Sequence, residues 1–104
     1  MLPSLFREIQ RPEGIQPSFS SIGDKFIIAS GGDLELNVEL FAREGRVDAV
    51  VVKGELKVKF AGNNNHVIVY KAGACPILLK GDILDLGNYG SYEISEVSSH
   101  AKNL

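Results

Sequence analysis

The stretch Asp33–Leu40, with the sequence DLELNVEL, alternates polar and apolar side chains along its whole length. Leucine or valine occupies every second position, and carboxylates and an asparagine fill the positions between. Because successive side chains of a β-strand point to opposite faces, this pattern predicts a strand with one buried face. A helix would spread the same leucines around its circumference, so the stretch favours a β fold.

The same alternation recurs at Glu55–Phe60, where the outer positions Lys57 and Lys59 are basic. An acidic strand and a basic strand in one sheet could pair across their exposed faces, with each pair worth about 0.2–1 kcal/mol. Further strands are predicted at Lys25–Ala29, Val47–Val52, His66–Lys71, Ile77–Leu79, Ile83–Leu86 and Tyr92–Val97, with glycine-rich turns between them. The sequence therefore predicts an all-β domain, a small barrel or sandwich of about seven short antiparallel strands.

The first 22 residues differ from this pattern. Pro3–Gln10 predicts a short helix, and Arg11–Ser21, rich in proline and serine, predicts an extended arm. The apolar side chains Leu5, Phe6 and Ile9 then either cover an open end of the β domain or wait for a neighbouring subunit. The expected organisation is an N-terminal arm over 1–22, the β domain over 23–97 and a frayed tail over 98–104.

Composition limits the function classes. The chain has 104 residues, enough for one domain, and a formal net charge of −2. Duplex nucleic-acid binders usually carry a basic face, and polybasic membrane attachment needs one too, so neither partner is expected. Cys75 is the single cysteine, which favours a reducing compartment. No apolar stretch approaches the length of a membrane span or a signal peptide, so we expect a cytoplasmic protein.

No arrangement of residues predicts catalysis, a metal or a cofactor. His66 and His100 have no metal-ligand spacing between them, and nothing that flanks Cys75 forms a nucleophile motif. Gly31 and Gly32 precede a strand rather than a helix, so no phosphate-binding loop is predicted. The expectation is a non-enzymatic protein with no catalytic, cofactor or metal residues and no small-molecule substrate.

The remaining class of function is binding to other proteins. The loop Gly62–Asn65, which contains Asn63, Asn64 and Asn65, is uncharged and predicts either a plain hairpin connection or a loop that orders on a partner. Together with the three asparagines of the loop, the candidate partner-binding residues are Leu5, Phe6, Ile9, Glu35, Glu39, Lys57 and Lys59.

The C-terminal stretch Pro76–Val97, PILLKGDILDLGNYGSYEISEV, runs from a short strand into Lys80-Gly81-Asp82, an alternating strand, a glycine turn and Tyr92-Glu93-Ile94. It resembles the closing hairpin of the small head–tail joining (head-completion) proteins of long-tailed bacteriophages. The resemblance implies a virion structural protein that adds to the portal or connector as a ring and offers a surface to the tail. It also implies that acidic Glu35 and Glu39 meet basic Lys57 and Lys59 between subunits.

Two other classes of function stay open. A small barrel that binds single-stranded nucleic acid would use exposed aromatics among basic residues, for which Tyr70-Lys71 and Tyr89 to Tyr92 are the candidates. An enzyme or ligand-binding barrel would hold perturbed titratable groups in a deep pocket. The first predicts salt-sensitive binding, and the second predicts Cys75, His66 and a carboxylate within hydrogen-bond reach.

Overall fold

The fold was obtained as a computed structural model, which describes residues 5–11, 16–31 and 35–96. Within these ranges, ten strands form two five-stranded antiparallel sheets. The strands are β1 (Phe6–Gln10), β2 (Ser18–Ile22), β3 (Lys25–Ser30), β4 (Leu36–Arg43), β5 (Arg46–Lys53), β6 (Glu55–Phe60), β7 (His66–Lys71), β8 (Ile77–Leu78), β9 (Ile83–Asp85) and β10 (Ser91–Ile94). Single 3₁₀ turns follow at Ala61–Asn63 and Gly87–Tyr89, and no helix in the described ranges is long and apolar enough to span a membrane.

The two sheets pack face to face as a sandwich around one apolar core. The first sheet has the order β1-β10-β9-β6-β7, and the second has the order β2-β3-β4-β5-β8. Strands β3 to β6 alternate buried residues with more exposed ones, as the sequence of β4 and β6 predicts. The fully buried members of the core are Ile28, Val38, Leu40, Val47, Val51, Leu56, Val58, Leu78, Leu84 and Ile94.

The N-terminal segment forms β-strands and not a helix. The helix predicted over Pro3–Gln10 is wrong for the described part, because Phe6–Gln10 is β1 and pairs with β10. Phe6 lies opposite Ile94, and its ring packs 5.6 Å from Phe19 of β2. Tyr92 completes this aromatic cluster, with its ring 5.1 Å from Phe19. Burial of these rings outweighs the weak helical tendency of so short a segment.

The predicted strands are found where the residues are described. The strands at Glu55–Phe60 and His66–Lys71 have the predicted limits, and the sequence missed β1 and β2. Asp33, Leu34, Val97 and the tail 98–104 lie outside the described residues. The acidic and basic strands do not pair with each other, since β4 belongs to the second sheet and β6 to the first. An alternating pattern predicts that a strand buries one apolar face. Because both sheets have a core-facing side, the pattern does not predict which sheet the strand joins.

Candidate functional site

Strand β7 is an edge of the first sheet and is exposed along its length. It pairs antiparallel with β6 on one side, and no other described strand pairs with it. Val67, Ile68 and Val69 expose 48%, 36% and 47% of their surface, although all three are β-branched and apolar. A strand edge presents unpaired backbone N–H and C=O groups, so β7 combines open hydrogen-bonding groups with apolar side chains on both faces.

A tight turn holds β7 against β6. Ala61–Asn63 form a single 3₁₀ turn, and Asn64 and Asn65 follow with φ of 55° and 58°. Asparagine tolerates this left-handed region better than most residues, which accounts for the asparagine run at the hairpin end. Asn63, Asn64 and Asn65 are all exposed, and Asn63 also lines the neighbouring groove.

An apolar groove runs between the open edges of the two sheets. Its walls are Phe60 of β6, Ile68 of β7, and Ile77 and Leu79 from the segment that contains β8. The groove has a volume of about 360 Å³, and both Ile77 and Leu79 are more than half exposed. Exposed apolar side chains that adjoin one another in this way are typical of binding surfaces rather than of scattered surface residues.

A basic strip lies on the outer face of the same edge. Lys57 lies across from Val69 on one side and Asp85 on the other, and Lys59 lies across from Val67 and Ile83. Neither lysine forms an ion pair with a described residue. The outer face of β6 and β7 therefore presents two lysines without an ion pair beside two exposed valines, with Asp85 opposite Lys57.

The structure brings some of the predicted contact residues together and separates others. Ile9 of β1, 44% exposed, lines a shallow cavity with Lys57, Lys59 and Val67. Leu5 and Phe6 are buried in the core, so they are not free for a partner. Because Leu5 and Phe6 pack inside, of the three N-terminal candidates only Ile9 reaches the cavity that Lys57, Lys59 and Val67 line.

The two glutamates have separate environments. Glu35 accepts a hydrogen bond from the Tyr89 hydroxyl at 3.4 Å and shares a cavity of about 280 Å³ with Lys57. The buried Ser30 hydroxyl, which has no hydrogen-bond partner, lines the same cavity. Glu39 lies on the outer face of the second sheet, where its carboxylate is 3.3 Å from Lys25 Nζ. Glu39 is thus already paired and lies away from the exposed edge.

Cys75 is exposed, and its sulfur lies 3.8 Å from the carbonyl oxygen of Gly73. His66 is the first residue of β7 and is also exposed. Within residues 5–11, 16–31 and 35–96, no three His, Cys, Asp or Glu side chains are close enough together to hold a metal ion.

The sequence did not single out the apolar residues that form this edge: Val67, Ile68, Val69, Ile77 and Leu79. For the three that lie in β7, the signal is the missing alternation in HVIVYK. A half-buried strand has polar outer positions, as β6 has, whereas Val67 and Val69 occupy the outer positions of β7. Such a run also fits a strand buried on both faces, so the sequence alone does not distinguish the two.

Comparison of the chain with protein-family models, with curated proteins and with solved structures finds no match.

Proposed function

We propose that this chain is a non-enzymatic assembly protein that docks onto protein partners through the edge formed by β6 and β7. One observation carries the proposal: β7 is an edge strand with exposed apolar residues on both of its faces. An open edge of this kind accepts an added strand from a partner, with main-chain hydrogen bonds giving affinity and side-chain pockets giving specificity.

The chemistry of the edge favours protein over single-stranded nucleic acid. Binding of single strands depends on aromatic rings that stack on bases next to basic side chains. Tyr70 packs its ring 6.3 Å from Phe60 on the core side of the sheet, and Tyr92 is buried. Lys57 and Lys59 are flanked on the neighbouring strands by aliphatic side chains and Asp85, and none of these offers a stacking surface.

The sequence resemblance supplies the biological setting of the proposal. We propose that the protein is a head–tail joining component of a long-tailed phage or prophage, made in the cytoplasm and incorporated into the virion. Its partners are the portal or connector, the tail and further copies of itself. Since Leu5 and Phe6 are buried, these two side chains are not free for a neighbour, and we assign docking to the β6–β7 hairpin and the apolar groove.

Deletion of the gene tests the joining role. After induction of the phage that carries the deletion, we expect separate filled heads and free tails under the electron microscope. Added purified protein restores joined, infectious particles. Normal joined particles from the deletion strain, or no phage particles from the parent strain, would overturn the proposed setting.

Two substitutions test the docking surface in the same assay. Val69→Lys places a charge on the exposed edge, whereas Val52→Lys changes a valine of equal exposure (49% against 47%) in an interior strand of the second sheet. We expect Val69→Lys to lose most of the restoring activity and Val52→Lys to keep it. Equal activity of the two variants would show that the β7 edge is not the docking surface.

A further inference from the structure

The described strands leave four sheet edges, and two of them carry features that hinder the addition of another strand. In β1 the register shifts between Glu8 and Gln10. Strand β8 has two residues and begins directly after Pro76. Bulges, proline and short length are usual means of protecting sheet edges. Strand β2 has none of these features, but three of its five residues are serine.

The fourth edge, β7, has none of these features. Its central residues Val67, Ile68 and Val69 are β-branched and form a regular ladder with β6 with no register shift. The strand has six residues, which corresponds to roughly 20 Å of open edge. Of the two edges without such protection, β7 is the apolar one, and an unprotected apolar edge points to a strand that is paired in the working state.

The order of residues in β7 is nearly symmetric about Ile68. Valines flank Ile68 on both sides, and the aromatic rings of His66 and Tyr70 come next. If two copies pair antiparallel about a two-fold axis at Ile68, each residue meets its symmetric counterpart. Ile68 then faces Ile68, Val67 faces Val69, and His66 faces Tyr70. Apolar and aromatic cross-strand pairs of this kind are the favourable ones.

The same arrangement keeps the basic side chains apart. In the paired sheet, Lys57 and Lys59 of one copy are separated from the same lysines of the second copy by three strand spacings, roughly 14 Å. That distance exceeds the screening length of about 8 Å at physiological ionic strength. Lys71 falls opposite Asn65 of the second copy, so no like charges meet across the axis.

The two grooves also meet in this arrangement. Ile68 lines the groove together with Ile77 and Leu79, and the axis passes at Ile68. Two-fold pairing therefore brings the exposed apolar side chains that line the two grooves next to each other. A register shifted to centre on Val69 would instead set Lys71 opposite Val67, which is a poorer pair.

We propose that this protein pairs with a second copy of itself through β7, antiparallel and with Ile68 opposite Ile68, so that the two first sheets join into one of ten strands. The inference rests on the proposed function, because it names the occupant of the same docking edge. One strand and a groove present less than the roughly 800 Å² per partner of a standard stable interface, so the dimer is weak and yields to other partners.

Disulfide cross-linking tests the register. In a Cys75→Ser background, single cysteines replace Ile68, Val69 or Val52, and mild oxidation is followed by non-reducing electrophoresis. Directly opposed residues have Cα atoms about 4.5–5.5 Å apart, within disulfide range, whereas diagonal neighbours lie beyond it. We expect a covalent dimer from Ile68→Cys and little from the other two. A dimer from Val69→Cys alone, or equal dimer from all three, overturns the inference.

Sedimentation velocity tests the dimer without any cysteine. The full chain is measured from micromolar to millimolar concentration, together with Val69→Lys and Val52→Lys, after thermal melts confirm that both variants fold. We expect Val69→Lys to dimerise about tenfold more weakly than the wild type. In the two-fold pair the new lysine occurs twice, each time opposite Val67 of the other copy. A wild-type chain that stays monomeric throughout overturns self-pairing. It leaves the joining role intact if the same protein restores phage particles.

Discussion

The carboxylate of Asp82 accepts a hydrogen bond from the backbone nitrogen of Ala61, at 3.1 Å, across 21 residues of sequence. Its other oxygen accepts one from the nitrogen of Leu79 at 2.8 Å. The backbone carbonyl of Asp82 accepts a third bond, from the nitrogen of Ile94, at 2.9 Å. One buried residue therefore joins the start of the β6–β7 turn, the end of β8 and strand β10 at the open edge of the sandwich.

Replacement of Asp82 by alanine should destabilise the protein, since the nitrogens of Ala61 and Leu79 lose their acceptor. Each buried donor left without a partner costs roughly 1–3 kcal/mol. Because the two segments are partly exposed, we expect the total loss of unfolding free energy to lie near the lower end of that range. Urea denaturation measures the loss. Asp85→Ala is the matched control, because Asp85 holds one exposed turn nitrogen, that of Gly87. Equal losses in the two variants would contradict the bridging role of Asp82.

A second prediction concerns Gly54, where the chain crosses from the second sheet to the first. Its φ is +85°, and a Cβ atom there would lie 2.3 Å from the backbone oxygen of Glu35. Gly45, in the β4–β5 turn, has nearly the same φ (+82°) but nothing within 4 Å of such a Cβ. Gly45→Ala should cost about 1–2 kcal/mol through backbone strain alone.

Gly54→Ala should cost clearly more, because the clash adds to the strain and backbone atoms must shift. Chemical denaturation of both variants gives the difference directly. If the two alanine variants had equal stability, the close approach of Gly54 to Glu35 would be disproved.

Alkaline pH should weaken the fold through Tyr92. Burial, and next the nearby charge of Glu8, raise the pKa of Tyr92 above its ordinary value of 10.0. The folded state then holds this proton more tightly than the unfolded chain does. Stability from Tyr92 is therefore fully present below about pH 10 and is lost as pH rises through the raised pKa.

Tyr92→Phe isolates this effect. At neutral pH the variant loses the hydrogen bond from the Tyr92 hydroxyl to the carbonyl oxygen of Tyr89, at 3.0 Å, worth about 0.5–1.5 kcal/mol. Above pH 10 its stability should fall less steeply than that of the wild type. Unfolding free energies over a pH series test this, with Tyr70→Phe as control. Parallel curves for wild type and Tyr92→Phe would refute the contribution of Tyr92.

The sequence predicted strands wherever a strand is half-buried, because alternation directly reports one apolar face. It gave no sign of β1 and β2, since Phe6 and Phe19 become core residues only when Tyr92, far along the chain, packs against both. The strand propensity of a short segment carries no information about a contact with residues so far away in the sequence. The candidate site was predicted only in part: Lys57, Lys59 and Ile9 line one cavity, whereas the exposure of β7 depends on strand order. Strand order is a global property that alternation does not encode.

The N-terminal segment offers the last prediction, because Phe6 and Ile9 lie on the same strand in opposite environments. Phe6 is 4% exposed and packs against Phe19, whereas Ile9 is 44% exposed. Phe6→Ala should therefore cost roughly 3–5 kcal/mol. Ile9→Ala should change stability by about 0.5 kcal/mol or less.

Thermal melts of the two variants measure these costs, and the particle-joining assay shows whether Ile9 contributes to docking beside Lys59 and Val67. A stable Phe6→Ala variant would mean that β1 is not part of the core and that the arm is free to bind a neighbour. An Ile9→Ala variant that folds normally but joins particles poorly would extend the docking surface from β7 across the outer face of the first sheet to β1.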